Sequence, residues 1–483
     1  MYIGIDIGTS GVKTLLIDEQ QTIIGSAHAG LNVTRLHSGW SEQHPADWIS
    51  ATQTTLDTLA QQFPAAMAAV RGLSLSGQMH GATLLDKDHQ VLRPCLLWND
   101  TRSHLEAAAL DANPLFRQMS GNIVFPGFTA PKLLWVKHHE PAIFDQVAQV
   151  LLPKDYVRLW LTGETVSDMS DASGTSWLDV AGRCWSDELL AASSMQRSQM
   201  PRLVEGTENS GALRTVLAKR WGMQQSPLVA GGAGDNAASA CGMGVVQAGS
   251  AFVSLGTSGV LFAANATYLP NPGSAVHAFC HAIPDTWHQM GVILSATDAL
   301  NWYAGITAIP AAALTAALGE HLSAPSGITF LPYLSGERTP HNDATIRGAF
   351  IGLEHQHTRQ HLTQAVLEGV AFAIRDNLDA LNAAGTNLQR LTAVGGGSKS
   401  HYWLRLIATV LNLPVDIPAD GDFGGAFGAA RLALIAANDA DPLAVCTPPL
   451  IKQTIAPQSA LAAAYEDAYQ RYRAVYPLMK QLQ

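Results

Sequence analysis

The first residues whose types could do chemistry lie close to the N-terminus. Asp6 comes two residues before the turn Gly8-Thr9-Ser10-Gly11. Glycines let backbone N–H groups approach an anion closely, and the Thr and Ser hydroxyls add donors. A carboxylate beside such a turn can hold Mg²⁺, which prefers oxygen ligands and keeps several waters. The segment therefore fits a phosphate and magnesium site, with a plain hairpin turn as the alternative.

The same turn returns in the second half of the sequence. Gly-Thr-Ser-Gly occurs again at 256–259, where it also follows an apolar, strand-like run. This repetition indicates two similar halves, which we place at residues 1–245 and 246–483, with two phosphate loops facing one ligand. Neither turn is a Walker A loop, since Val12 stands in the first turn where that motif needs the glycine before its lysine.

A second carboxylate follows a glycine-rich stretch. Positions 228–236 read LVAGGAGDN, and a helix-compatible run begins after Asp235. The pattern imitates a dinucleotide fingerprint, which needs an acidic residue about 20 positions later. No Asp or Glu occurs between Asn236 and Pro284, so we reject a dinucleotide site. Asp235 could cap the helix or accept a proton from a substrate hydroxyl, and the two roles are compatible because helix N–H groups keep a carboxylate ionised.

Two further segments could bind a small molecule. Met79 and His80 follow a predicted strand and are bracketed by glycines, and loops at such places commonly carry binding groups. His80 would hydrogen-bond a sugar hydroxyl or carbonyl while Met79 packs against carbon atoms; a surface histidine is the alternative. The GGGS stretch at 395–398 suits a nucleotide whose adenine and ribose lie against backbone, or a tight turn. Trp98 is a candidate stacking platform.

The pattern of apolar residues predicts the elements that position these groups. Apolar residues alternate at the strand period through 3–7, and apolar runs at 12–17 and 22–27 continue an antiparallel meander. Apolar residues three or four positions apart predict a helix over 362–381, with Gly385 as its stop. Strands and helices that alternate in this way are typical of an α/β fold.

Composition narrows the class of protein. Hydrophobic residues make up 47% of the chain and charged residues 14%, below the typical value of about 25%, which argues against a disordered or coiled-coil protein. The net charge of −10 disfavours non-specific binding to nucleic acid or to an anionic membrane. The scattered cysteines predict no disulfide framework, and we find no signal or membrane-spanning pattern. We therefore expect a cytoplasmic protein.

Taken together, these motifs resemble the FGGY family of carbohydrate kinases over nearly the whole chain. The most specific match lies at 348–353 and continues at 361–368, and the segment 127–135 is similar to the family's N-terminal signature. The resemblance implies two ribonuclease-H-like α/β domains, of the actin and hexokinase ATPase type, on either side of a catalytic cleft. It also implies ATP and Mg²⁺ as cofactors, a sugar as substrate, and a homodimer.

The resemblance also assigns roles to individual residues. Asp235 would be the catalytic base and Asp6 the aspartate of the first loop, both reaching Mg²⁺ through water. The residues implied to contact the sugar are Gln78, Met79, His80, Trp98, Asp235 and Asn236. The residues implied to contact the nucleotide are Gly8, Thr9, Ser10, Lys13, Gly256, Thr257, Gly395, Gly396, Gly397 and Ser398.

Within the family, four segments are similar to the branch that phosphorylates D-xylulose, namely 77–81, 97–100, 171–175 and 331–340. In that branch the Met-His pair binds the ketopentose, and the γ-phosphoryl of ATP passes to its terminal hydroxyl. One departure is Ala233, which interrupts a run of glycines before the aspartate. The alternatives are a sister kinase acting on another ketopentose or polyol and, in a different class, a non-catalytic ATP-gated sugar sensor.

Overall fold

A computed structural model describes residues 1–419, 421 and 423–482 of the chain. The strands of the first half are β1 (Tyr2–Ile7), β2 (Gly11–Ile17), β3 (Ile23–Gly30), β4 (Glu42–Gln43), β5 (Gly72–Gly77), β6 (Thr83–Leu85), β7 (Cys95–Leu96), β8 (Gln149–Leu151), β9 (Val166–Asp168), β10 (Leu178–Asp179), β11 (Cys184–Trp185), β12 (Arg202–Val204), β13 (Asn209–Ala212), β14 (Leu228–Ala230) and β15 (Ala233–Gly234). Its helices are α1 (Pro45–Gln62), α2 (Pro64–Ala68), α3 (His104–Asp111), α4 (Pro114–Ser120), α5 (Thr129–His139), α6 (Pro141–Phe144), α7 (Pro153–Thr162), α8 (Met169–Ala172), α9 (Asp187–Ala192), α10 (Thr215–Arg220) and α11 (Asp235–Gly242).

The second half continues the alternation of strands and helices. Its strands are β16 (Ala251–Leu255), β17 (Gly259–Asn265), β18 (His277–Cys280), β19 (Trp287–Ile293), β20 (Thr329–Leu331), β21 (Ala349–Ile351), β22 (Leu391–Val394), β23 (Val415–Pro418) and β24 (Ile451–Ile455). Its helices are α12 (Thr297–Thr307), α13 (Ala311–Ala316), α14 (Arg359–Ala383), α15 (His401–Leu411), α16 (Gly425–Asn438), α17 (Pro442–Val445) and α18 (Ser459–Gln481).

Two large mixed sheets repeat one strand order. The first runs β13-β14-β5-β1-β2-β3, and the second runs β18-β19-β17-β16-β22-β23-β24. In each, a Gly-Thr-Ser-Gly turn joins an antiparallel pair, β1 with β2 and β16 with β17, and a parallel strand, β5 or β22, pairs with the other side of the leading strand. The predictions of an α/β fold and of two similar halves are confirmed.

The alternation of residues along β1 decides which helices it contacts. Ile3, Ile5 and Ile7 are fully buried in the core that includes residues of α1 and α7. Tyr2 lies in the core on the opposite face, which is built with α16, a helix of the second half. Because successive side chains of a strand point to opposite faces, Gly4 and Asp6 share the α16 face with Tyr2.

Helix α16 lies so close to the first half that only glycine fits at the contacts. A Cβ on Gly4 would stand 1.9 Å from the carbonyl oxygen of Ala426, and one on Gly428 would stand 1.7 Å from that of Ala238. Side chains at either position would push the helix away from β1 and α11. Helix α16, from the second half, therefore completes part of the first-half core. The domain boundary at residue 245 stays a prediction.

Two residues of the first half contact the second sheet away from α16. Asn122 exchanges two hydrogen bonds with the backbone of Ala278 on β18, and Ser173 Oγ accepts one from the N–H of Cys280. The first half therefore also contacts β18, the edge strand of the second sheet. Among the described residues, none of the helices is both long enough and apolar enough to cross a membrane.

Candidate active site

Two carboxylates meet where β1 ends and α11 begins. Ser76 Oγ on β5 donates a hydrogen bond of 2.8 Å to Asp6 Oδ1. A Cβ on Gly425, the first residue of α16, would stand 2.9 Å from the same oxygen, so the helix begins directly against this carboxylate. Burial raises the pKa of Asp235 to about 6, and the charge of Asp6 adds to that shift. The two acids thus form one electrostatically coupled pair. In the hairpin, Lys13 lies opposite Asp6.

Asp235 is the first residue of α11, and Gly234 stands at the N-cap position. The prediction that Asp235 caps the helix is therefore wrong in its detail, because the helix starts one residue earlier than a capping aspartate allows. Its Oδ1 accepts hydrogen bonds from the backbone N–H of Asn236 at 2.7 Å and from the Asn236 side chain at 2.9 Å. Among the described residues its Oδ2 accepts no hydrogen bond, so this oxygen can still accept one from another group.

Met79 and His80 lie at the carboxyl end of β5. The φ of His80 is +68°, and Lys132 Nζ stabilises this left-handed turn by donating to the His80 carbonyl at 2.9 Å. His80 Nδ1 lies 2.8 Å from the carbonyl oxygen of Gly174, so Nδ1 carries the proton and Nε2 keeps a lone pair. Burial lowers the pKa of His80 to about 3, which keeps the ring neutral. The ring stacks on Phe128 with centroids 4.5 Å apart.

A hydrogen-bonded chain connects the first glycine turn to the same region. Trp98 Nε1 donates to Thr9 Oγ1 at 3.0 Å, and Thr9 Oγ1 donates to Gln78 Oε1 at 2.9 Å. Gln43 closes the chain, because its amide donates to the Thr9 carbonyl and accepts from the Gln78 amide. The ring of Trp98 is 43% exposed, so it offers a flat apolar surface beside these groups. Thr9 therefore sits among the residues predicted to contact sugar.

In the second half, the glycine-rich loop at 395–398 and the turn at 256–259 lie near the end of β16. The loop at 395–398 packs on the end of β16, where a Cβ on Gly395 would stand 2.7 Å from the carbonyl oxygen of Leu255. The neighbouring turn is fixed by the start of α12, since the carbonyl of Gly256 accepts from the N–H and hydroxyl of Thr297. The exposed Thr257 lies beside it. The two loops of the second half therefore lie close together.

Two cavities flank the 395–398 loop. One of about 780 Å³ lies between this loop and the helices α12 and α13, and Gly396 and Gly397 line it. The other, of about 640 Å³, extends from Gly395 and Ser398 to Asn236 on α11. Both are large enough for parts of a nucleotide, and the second reaches the residue after Asp235. The start of α11 therefore lies near residues predicted to contact the sugar and near a loop predicted to contact the nucleotide. The contacts of Gly8, Ser10 and the other predicted residues with ligands stay predictions.

A fully buried charge cluster lies behind the site. Lys154 Nζ stands 2.6 Å from Asp155 Oδ1, 2.8 Å from Asp168 Oδ1 and 3.1 Å from Asp171 Oδ2. Ser170, between the last two acids, accepts a hydrogen bond from the N–H of Gly234 at 3.1 Å. The cluster therefore anchors the residue that precedes Asp235. The segment 171–175 was noted in the sequence, whereas nothing local pointed to Lys154 or to Gln43.

The chain is similar to known proteins over nearly its whole length. The N-terminal domain model of the FGGY family of carbohydrate kinases matches residues 1–242, and the C-terminal domain model matches residues 251–437. The chain is 49% identical to the xylulose kinase of Escherichia coli (strain K12), over 99% of this chain and 100% of that protein.

Solved structures show the same similarity. The crystal structure of a xyloylose kinase from Brucella ovis is 64% identical, covers 100% of both chains and superposes with a TM-score of 0.99. The xylulose kinase from Rhodospirillum rubrum is 31% identical, covers 100% of this chain and 99% of its own, and gives a TM-score of 0.93. The predicted two-domain, ribonuclease-H-like fold around a cleft is confirmed. The chain belongs to the FGGY family of carbohydrate kinases.

Proposed function

We propose that this carbohydrate kinase transfers the γ-phosphoryl group of ATP to the terminal hydroxyl of D-xylulose, giving D-xylulose 5-phosphate and ADP. The observation that carries the proposal is Asp235 at the start of α11, whose Oδ2 accepts no hydrogen bond from the described residues. The residue before it, Gly234, packs against Met79, and the residue after it, Asn236, lines the cavity that reaches the loop at 395–398. The names of the similar kinases from Escherichia coli and Rhodospirillum rubrum supply the substrate.

In this proposal Asp235 acts as the general base. Its carboxylate orients the terminal hydroxyl of the sugar and takes the proton as the new O–P bond forms and the bond to ADP breaks. Because its pKa is raised to about 6, the carboxylate is ionised at neutral pH yet basic enough to accept a proton. Neutral His80 accepts a hydrogen bond from a sugar hydroxyl at Nε2, since its Nδ1–H is already donated to Gly174.

Asp6 and Asp235 fit Mg²⁺. Burial raises the pKa of Asp235 first, and the negative charge of Asp6 adds to the shift, so a divalent cation that keeps several waters would offset both effects. When bound, Mg²⁺ supplies positive charge against the phosphate oxygens. Lys13 and the two glycine turns are proposed to bind the phosphates, and Gly395, Gly396, Gly397 and Ser398 the adenine and ribose.

The pH dependence of sugar turnover follows from the charge state of Asp235. Because its pKa is about 6 and the carboxylate must be ionised, kcat/KM for D-xylulose is expected to fall about tenfold per pH unit below pH 6 and to be flat above it. His80, with a pKa of about 3, adds no step in this range. Rates between about pH 5 and 8, with D-xylulose and Mg-ATP both well below their KM values, measure the midpoint for the free enzyme.

The Asp6→Asn variant provides the control for this pH profile. It removes the charge that helps to raise the pKa of Asp235, so the midpoint of the residual activity should move to lower pH. A midpoint that stays in place would show that the acid limb belongs to another group.

The substrate is tested by ADP release with Mg-ATP and a panel of D-xylulose, D-ribulose, L-xylulose, glycerol and D-gluconate. We expect D-xylulose to stimulate release at least tenfold more, in kcat/KM, than any other member. A larger stimulation by another member would keep the kinase and replace the substrate. ATP binding without any stimulation would favour the ATP-gated sugar sensor.

A further inference from the structure

An arginine of the second half reaches the aromatic residues around His80. The Cζ of Arg338 lies 5.0 Å from the ring centroid of Phe125, and its Nη1 lies 3.5 Å from His277 Nε2. Phe125 contacts Phe128 at 5.5 Å between centroids, and Phe128 is the ring on which His80 stacks. Arg338 therefore stands on the side of the His80 region that the second half provides.

Its guanidinium has fewer partners than a half-buried cation requires. Among the described residues, no carboxylate lies within 4 Å of it and His277 is the acceptor for its side chain. A cation over an aromatic face is attracted by the ring, but this attraction leaves the N–H groups without acceptors. Arginine offers five N–H donors and no acceptor, so a ligand oxygen is the group that would complete its hydrogen bonding.

His277 is the hydrogen-bond acceptor that orients Arg338. Burial, and then the charge of Arg338, holds the pKa of His277 well below its usual range, so the ring is neutral. Nε2 must accept the hydrogen bond from Arg338, which leaves the proton on Nδ1. That Nδ1 is buried and has no hydrogen-bond partner within the described ranges. The hydrogen bond from Arg338 therefore fixes the tautomer of His277 and makes Nε2 the atom that orients the guanidinium.

The backbone around Arg338 is fixed independently of its side chain. Glu337 Oε1 accepts from the N–H of Arg338 at 2.8 Å and from that of Leu294 at 3.0 Å. Thr339 exchanges hydrogen bonds with the backbone of Val292 on β19, at 3.0 and 3.1 Å. The loop is therefore a rigid support that holds a flexible cationic side chain against the aromatic cluster.

We propose that Arg338, oriented by His277, is a specificity residue that donates hydrogen bonds to the oxygens at the carbonyl end of the bound ketose. The assignment rests on the proposed function, in which Asp235 takes the opposite, terminal hydroxyl and His80 binds between them. It gives the second half a direct contact with the sugar, so sugar binding would draw the two halves together before phosphoryl transfer.

The test compares Arg338→Met, which keeps the length of the side chain but removes its donors, with Arg338→Lys, which keeps a charge. We expect Arg338→Met to raise KM for D-xylulose at least tenfold, while KM for ATP changes less than twofold. The preference for D-xylulose over xylitol, which has the same carbon chain without the carbonyl, should fall at least tenfold in kcat/KM. Arg338→Lys should recover part of both losses.

Arg471→Met, at an exposed position on α18, is the matched control and should leave both KM values and the preference over xylitol unchanged. An unchanged KM for D-xylulose and an unchanged preference over xylitol in Arg338→Met would overturn the assignment. So would equal rises in both KM values together with a lower Tm, since those indicate a purely structural role. Wild-type protein that does not phosphorylate D-xylulose would refute the proposed function instead, and this result appears without any variant.

Discussion

Replacing Asp235 by Asn is expected to lower kcat by about 10²- to 10⁴-fold, the range that a positioned general base contributes. The amide has nearly the same shape as the carboxylate, and its oxygen can still accept from the backbone N–H of Asn236. It cannot take a proton from the sugar hydroxyl. The loss should therefore appear in kcat, with KM for both substrates and the Tm close to the wild-type values.

Asp376→Asn is the matched control for this substitution. Burial raises the pKa of Asp376 to about 6, as it does for Asp235, but its carboxylate accepts from the hydroxyl of Tyr469 at 2.7 Å between α14 and α18. We expect its kcat to stay within about twofold of wild type. If Asp235→Asn keeps more than a tenth of the wild-type kcat, Asp235 is not the base, and its raised pKa reflects burial beside Asp6 alone.

Much of the fold could be predicted because its signals are local. Alternating isoleucines at 3–7 identify β1, and the repeated Gly-Thr-Ser-Gly turn identifies β16 and β17 as its counterparts. The predicted helix at 362–381 is α14, and the structure extends it to 359–383 with Gly385 at a φ of +106° shortly after its end. The third strand, predicted at 22–27, spans Ile23–Gly30. End positions shift because tertiary contacts, rather than periodicity, decide the last turn or residue.

The contacts that complete the site could not be predicted, because they join residues far apart in the chain. Gln43 binds Thr9 and Gln78 across separate elements, and Lys132 binds the carbonyl of His80 from α5. Arg338 stands in a segment noted only for its resemblance to a family branch. Periodicity and spacing report on neighbours within an element, so a side chain that acts across two halves leaves no such signal.

The position of α16 against the first sheet could not be predicted either. The position of this helix depends on the glycines at 4 and 428, and nothing near them in the sequence marks them as helix contacts. The exact residue at which α11 begins was also not predicted. A carboxylate near a helix start predicted a cap, whereas Gly234 takes that position and leaves Asp235 inside the first turn, with one oxygen available.

The second large effect is expected on stability, from Lys154→Met. Lys154 and the carboxylates of Asp155, Asp168 and Asp171 are all fully buried. Burial lowers the pKa of Lys154, but the three acids outweigh it and raise the pKa above its usual value, so the lysine is charged. Burial raises the pKa of Asp171 well above its usual range, which favours the neutral form of this acid. Lys154 and Arg158 then balance Asp155 and Asp168.

Removing the lysine leaves one buried negative charge without a counterpart, which costs about 3–5 kcal/mol in unfolding free energy. For a domain of this size, a loss of that magnitude lowers Tm by roughly 6–20 °C. Lys219→Met, at an exposed position on α10, should shift Tm by less than about 2 °C. Scanning calorimetry at neutral pH measures both variants under the same conditions.

The double variant Lys154→Met with Asp155→Asn separates charge balance from packing. It restores neutrality while the amide can still accept from Ser167 Oγ, which bonds Asp155 Oδ2 at 2.6 Å. If the uncompensated charge causes the loss, the double variant should regain at least half of the lost Tm. A double variant as unstable as Lys154→Met would show instead that the shape of the lysine side chain, packed against Gly77, is what the fold requires.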